Sequence, residues 1–402
     1  IGFGLTSEGL HSGYAYAKGT FEALVQTKGG LSDVKTNIDA AGLNISNTYV
    51  SNAKAVITPA VGGVNASLSE EKVNVATARN LTKARTGILG GETSGGVINV
   101  TGAVDITATG TALSEARVNT PVISISSVSL TANAATADVK VTQETLIENV
   151  TLTADSLTVK SELNKDSVFD DDSKFNGALA VIGGSYALGK DVTGVSISKV
   201  SATANSANAL FSGKNHSYVS NANLDIAGAV ALTAESRSFA RGDVTQDSKL
   251  GLVSLFLTEI YAYAGGDFGS YVSNSTGKKV KGKSVNISNT YTARAKSMSA
   301  QSDSGIDASL VSAGANVALA NTRVTSQAGI SGGEAEADQT SEEGDIQITL
   351  TGKGKAEAGF YGPLAKLSAA NLAVNFVEAR LLDQQDAYIK DATVTAYDVS
   401  VY

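Results

Sequence analysis

The sequence predicts an all-β fold, either a parallel β-helix or a related wide β-solenoid, built from stacked repeat modules. Short runs that alternate apolar and polar residues recur along the chain and end at Gly, Asn, Asp or Ser, which is the pattern of strands and turns. The chain also repeats itself on two length scales. Proline, which removes a ladder hydrogen bond, occurs only 3 times in 402 residues.

The longer repeat is a duplication. Residues 43–159 match residues 285–401 without a gap, at an offset of about 242 positions. The hexapeptide Asn-Ile-Ser-Asn-Thr-Tyr, for example, begins at Asn44 and again at Asn286. Because the register holds over the whole length, we interpret residues 1–402 as one continuous repeat array.

The shorter repeat is a sub-module marked by an apolar–polar–apolar strand signature. It recurs roughly every 53 to 73 residues. A sub-module is either one wide coil or two to three coils of roughly 20 to 30 residues, and the sequence leaves this choice open. The sub-modules begin near Leu43, Val104, Leu157, Val230, Val285, Ile346 and Val399.

Stacking explains how such modules bury a core. One module has too few apolar residues to close a core alone, whereas each strand of a solenoid pairs with its equivalent one coil away. Ala, Ser, Thr and Val are small enough to lie inside a narrow coil. The competing fold is a string of β-sandwich domains, which the absence of linker-like stretches disfavours. Only residues 368–384 have a spacing that suits a helix, and their counterpart, residues 126–142, has the composition of a strand.

Composition excludes several classes of function. With no Cys, the chain has neither disulfides nor thiolate metal ligands, and its 2 His make a histidine-built metal site unexpected. The net charge of −8 argues against a nucleic-acid partner. The longest apolar stretches are too short to span a bilayer, so no transmembrane segment is expected. The chain opens at Ile1 without a start Met or a signal peptide, and we expect it to be a fragment of a longer protein.

The acidic run Asp170, Asp171 and Asp172 is the candidate metal site. Clustered carboxylates suit calcium, but the spacing matches no known calcium loop, and a solvated insertion loop is the competing interpretation. The acidic residues 342–345 allow the same two interpretations. The basic run at residues 278–283 suits anionic headgroups or glycans, yet the equivalent region of the first copy is not basic.

No motif for catalysis or for a cofactor is present. His11 and His216 lie outside any Gly-His-Gly motif, and the Arg-x-Lys pattern at Arg294 stands alone, so the pattern of pectin-cleaving β-helix hydrolases is incomplete. Walker and Rossmann glycine patterns lack their structural setting. We therefore expect neither an enzyme nor a cofactor other than, at most, calcium.

The last residues carry a family resemblance. The phrase Ala-Tyr-Ile-Lys-Asp-Ala-Thr-Val-Thr-Ala that begins at Ala387, followed by a strand, resembles the repeats of large secreted leukotoxin-type filamentous adhesins of Gram-negative anaerobes. This resemblance implies an extracellular β-solenoid at the bacterial cell surface, acting in cell adhesion as a stalk and binding surface for host or neighbouring cells. The alternative is a structural protein, the subunit of a self-assembling fibre or sheath whose partners are other copies of itself.

Overall fold

The computed structural model describes residues 2–26, 37–58, 64–91, 96–119, 123–182, 195–246, 248–301, 306–360 and 365–402. Within these ranges the chain forms 23 strands and no helix. All ladders between the strands are parallel. The predicted parallel solenoid is therefore confirmed, whereas a string of antiparallel sandwiches is not what the chain forms.

The strands build three sheets. Sheet A consists of β1 (Gly2–Gln26), β4 (Val64–Leu89), β7 (Ile123–Glu148), β11 (Val195–Ser220), β14 (Ser248–Ser273), β17 (Ile306–Ser331), β20 (Ala365–Leu381) and β21 (Gln384–Lys390). Sheet B consists of β2 (Asn37–Ala40), β5 (Gly96–Val100), β8 (Val150–Ala154), β12 (Asn223–Ile226), β15 (Lys279–Lys281), β18 (Glu334–Glu336) and β22 (Thr393–Thr395). Sheet C consists of β3 (Leu43–Ile57), β6 (Ala103–Val118), β9 (Ser156–Leu163), β10 (Ala178–Ile182), β13 (Ala229–Gln246), β16 (Ser284–Gln301), β19 (Asp345–Phe360) and β23 (Asp398–Val401).

One coil visits sheets A, B and C in turn, and it is wide. The shortest coils take 53 residues, from Val104 to Leu157 and from Ile346 to Val399, and the longest takes 73, from Leu157 to Val230. A sub-module thus corresponds to one wide coil rather than to several narrow ones. The in-register partners along sheet C are Leu43, Val104, Leu157, Val230, Val285, Ile346 and Val399. Residues 368–384, the one stretch whose spacing suits a helix, belong to β20 and the start of β21, with residues 382 and 383 between the two strands.

The longest coil contains an insertion. Leu163 pairs with Gly110, but the next paired residue, Ala178, lies opposite Ser114. Between these two pairs the chain has fourteen residues, 164–177, whereas β6 has only three. These fourteen residues, here called the insertion loop, therefore leave sheet C, and β10 then continues the strand position that β9 occupied. Asn164 opens the loop in the left-handed region at φ 55° and accepts a hydrogen bond from the backbone N–H of Ala112 at 2.9 Å.

The corner between sheets A and B is made by residues that tolerate a left-handed backbone. Asn149, Asn221, Gly332 and Asp391 occupy equivalent places in their coils, with φ between 47° and 63°. Asn, Asp and Gly are the residue types that adopt this conformation at least cost. Stacked corners of this kind end the long sheet A strand at the same level in each of these coils.

The core changes character across the coil. Next to sheet B, where three sheets enclose the interior, it is built from Ile, Val and Leu, such as Ile106, Leu152 and Leu232. Where sheets A and C pack directly on each other, the core is rich in alanine, as at Ala137 and Ala209. Small side chains there let the two sheets approach closely, as the composition predicts.

Sheet A carries one further feature, a bend near the start of each strand. The ladder between β4 and β7 pairs Ser67 with Ser126 and Ser69 with Val128, but it skips Ser127. In a regular strand, residues three apart face opposite sides of the sheet, yet Ser126 and Ser129 are both buried. The skipped residue therefore shifts the inward–outward alternation of side chains by one position. The same skip occurs at Leu68, Lys199, Leu252 and Leu310.

The first inward positions beyond the bend of sheet A are mostly polar. Asn74, Asn133 and Asn205 stack in register, and each amide donates to the next at 2.8 and 2.9 Å. Asn316 continues the pattern by donating to Asn375 at 2.7 Å. These ladders give the amide N–H groups of Asn74, Asn133 and Asn316 an acceptor within the sheet, where burial without one would be costly.

Candidate interaction surfaces

The structure places the three candidate carboxylates in the insertion loop, on the outer side of sheet C, where they diverge. Asp170 accepts a hydrogen bond from Arg294 at 2.6 Å, and Asp172 accepts one from Arg241 at 2.8 Å. Asp171 instead accepts from the backbone and hydroxyl of Ser173. Each carboxylate thus has a different partner. Among the described residues no group of three or more His, Cys, Asp or Glu is arranged to hold a metal ion.

Arginines from neighbouring strands hold the loop. Arg241 lies on β13. Burial alone would lower the pKa of its guanidinium, but Asp243 and Asp172 together raise that pKa above its usual value. Arg294 lies on β16, bonds Glu357 of β19 at 2.9 Å, and stacks over the Phe169 ring at 4.1 Å from its centroid. The acidic run therefore pairs charges across several coils, and we call it the acidic clamp.

Aromatic packing anchors the same loop from below. Phe169 and Phe175 meet edge to face at 5.9 Å between ring centroids, and Phe169 meets Phe239 of β13 at 5.3 Å. All three rings are buried together with Leu179. The insertion loop is thus a packed part of the solenoid and not a freely solvated loop.

Replacing Arg294 with alanine is expected to loosen the insertion loop without unfolding the solenoid. The variant loses a cation–π contact and two partly solvated ion pairs, a loss of about 1–2 kcal/mol. Hydrogen exchange of the amides in residues 164–177 should accelerate about tenfold. As a control, R380A removes an exposed arginine that pairs with Glu378, and it should leave the loop unchanged. Unchanged exchange in R294A would contradict the clamp.

The basic run lies on and beside sheet B, with acids one coil away. Lys279 pairs with Glu336 and Lys283 with Glu343, while Lys281 lies 3.6 Å from Asp225. Glu343 belongs to the acidic residues 342–345, so these two sequence candidates meet each other. Charge pairs between neighbouring coils therefore account for three lysines of the basic run and for Glu343 of the acidic run.

The two histidines are three coils apart and share no site. His11 lies 3.0 Å from the Asn74 side chain at the foot of the asparagine ladder. His216 is buried, with Nε2 3.2 Å from Asp267 and Nδ1 3.3 Å from the Tyr271 hydroxyl. Burial by itself would raise the pKa of Asp267, but the contact with His216 holds it below its usual value. The burial of Tyr271 raises the pKa of its phenol.

A surface that the sequence analysis missed lies on the outer side of sheet A, just beyond the bend. Ala135 points into the alanine core, so alternation directs residues 128, 130, 132 and 134 outward. Leu130, Leu255 and Leu257 are 42%, 44% and 51% exposed. We call this surface the apolar face. Its outward residues are Val128, Leu130, Ala132, Ala134, Val200, Ala202, Ala204, Ser206, Val253, Leu255, Leu257, Glu259, Val311, Ala313, Ala315 and Val317.

The apolar face has relief, because large and small residues alternate from coil to coil in one of its rows. One row along the solenoid reads Leu130, Ala202, Leu255, Ala313, Leu372 in register. The leucines form ridges and the alanines form troughs, and the open depression over them measures ≈ 680 Å³. Contiguous exposed apolar surface of this kind marks interaction sites on soluble proteins.

The alternating run at residues 128–130 was visible in the sequence, but its direction was not. A strand pattern gives the period of two without saying which side is buried. Ser129 is the buried residue of the run, and the valine and leucine beside it face outward. The signal that would have revealed this is the alignment of serines across coils at Ser129, Ser201, Ser254 and Ser312.

Comparison of the chain with protein-family models, with curated proteins and with solved structures gives no match. No helix long and apolar enough to cross a bilayer occurs in the ranges that the structure describes.

Proposed function

We propose that this chain is a non-enzymatic segment of a large extracellular bacterial surface adhesin, in which the solenoid is a rigid stalk and also a binding surface. The observation that carries the proposal is the continuity of the ladders. Sheet A runs through seven coils in one register, from β1 to β20, with the same bend in every strand. Such an array has no internal hinge within the described coils, and this suits an element that holds a binding surface away from a cell.

The large number of residues in each coil supports the interpretation of the solenoid as a stiff stalk. Neighbouring strands are about 4.8 Å apart, so the seven coils of sheet A extend about 29 Å along the solenoid axis. More than 50 residues are used for each such step. A chain that needed only reach would use a narrower repeat, whereas a wide coil provides bending resistance and broad lateral faces.

Binding of the purified chain to host epithelial cells tests the proposal. Fluorescently labelled chain should bind saturably, and an excess of unlabelled chain should compete it away. Electron microscopy of the same preparation should show separate short rods. Ordered filaments with a repeating subunit and no cell binding would overturn the adhesin and favour the fibre subunit.

A further inference from the structure

We infer that the apolar face pairs with the same face of a second copy of this chain, so that two solenoids lie side by side and antiparallel. One row of the face has ridges and troughs of equal spacing, because Leu130 and Leu255 are two coils apart and Ala202 lies between them. Ridges that repeat every two coils, about 9.6 Å, fit between the ridges of an identical surface shifted by one coil. The inference concerns self-association and does not depend on the adhesin.

Symmetry selects one arrangement. A closed pair of identical chains needs a two-fold axis, and an axis parallel to the solenoid would set leucine ridge against leucine ridge. An axis parallel to the strands, between β11 and β14, reverses the order of coils and keeps the position along each strand. It places Leu255 of one copy over Ala202 of the other, and Leu130 over Ala313.

The two polar residues of the face fit the same axis. Ser206 and Glu259 lie on β11 and β14 at paired positions one residue beyond Asn205 and Thr258. The axis sets Ser206 of each copy opposite Glu259 of the other. The Ser206 hydroxyl oxygen accepts from Asn208 at 3.1 Å, so its hydrogen can be donated to the carboxylate. Two symmetric hydrogen bonds would then satisfy the only polar side chains among the sixteen residues that define the apolar face.

The size of the face predicts a weak pair. From β7 to β17 it extends about 14 Å along the axis, and the four outward positions of a strand extend about 20 Å across it, before side chains are added. About 500 Å² per copy, or about 1,000 Å² in total, lies at the lower limit for a specific interface. A concentration-dependent dimer with a Kd of about 10–500 µM follows.

Sedimentation of the purified chain over a concentration series tests the pairing. The wild type should shift from monomer to dimer, and Leu255→Arg should weaken the association at least tenfold, because it places a charge on a ridge that enters an apolar trough. The matched control is Leu252→Arg, since Leu252 lies at the bend of the same strand, is 53% exposed and is outside the face. Both positions are exposed, so circular dichroism should show both variants folded.

Cross-linking tests the direction of the pair. The chain has no Cys of its own, so single cysteines report only on the introduced sites. A mixture of the A202C chain and the L255C chain should form disulfide dimers under mild oxidation faster than a mixture of A202C and L252C. A chain that stays monomeric at several hundred micromolar, or an equal loss of association in both arginine variants, would overturn the pairing. Cell binding by a strictly monomeric chain would overturn it while leaving the adhesin intact.

Discussion

Replacing Ala209 with leucine is expected to unfold the middle of the solenoid. Ala209 is fully buried between sheets A and C, and its in-register neighbours are Ala137 and Ala262. The alanine row continues through Ala78 and Ala320, so no neighbouring coil has space for a larger side chain. Overpacking of a close-packed core costs about 3 kcal/mol when the surroundings cannot move.

The control for this variant lies on the same strand. Ala204→Leu adds the same atoms five residues away, but on the apolar face, where a trough is open to solvent. Its free energy of unfolding should change by less than about 0.5 kcal/mol. Repeat arrays need not unfold in one step, so hydrogen exchange of β11 and β14 should accompany denaturant unfolding. Equal stability of the two variants would contradict the close approach of sheets A and C.

Periodicity was sufficient to predict the coil. Each coil must bury equivalent residues at the same level, so an inward pair such as Val104 and Ile106 recurs wherever the chain returns to sheet C. The width of the coil could not be deduced in this way. A short alternating run has the same appearance in a narrow coil and in a wide one, and the long sheet A strands emerge only from the pairing.

The surfaces were less accessible to sequence reasoning than the fold. The bend in sheet A lies at a leucine in some coils, as at Leu68, Leu252 and Leu310, but at Ser127 and Lys199 in others, so no single residue type marks it. The partners of the acidic run are also distant in the sequence. Asp172 meets Arg241 across 69 residues and Asp170 meets Arg294 across 124. Without these partners, the acidic run in the sequence was as consistent with a cation site as with ion pairs to arginine.

Phe239→Ala is expected to release the insertion loop and to destabilise the coil beneath it. The Phe239 ring is buried against Phe169 and Phe175, and its loss leaves a cavity that the strands of sheet C cannot close. Phe-to-Ala substitutions in a packed core cost about 3–5 kcal/mol. Both the free energy of unfolding and the exchange protection of residues 164–177 should fall.

Two comparisons separate this packing effect from a general loss of aromatic surface. Phe239→Leu retains most of the volume and should cost less than about 1.5 kcal/mol. Phe376→Ala removes an equally large ring that is 53% exposed, and its effect on the free energy of unfolding should stay below about 1 kcal/mol. Together with R294A, the series ranks the forces on the loop. If the ring contacts dominate, F239A will reduce the exchange protection of residues 164–177 more than R294A does. Solvent screens the partly exposed ion pairs of the acidic clamp, whereas it does not weaken the packing of the buried Phe239 ring. The reverse order would mean that the charges, and not the rings, hold the loop to sheet C.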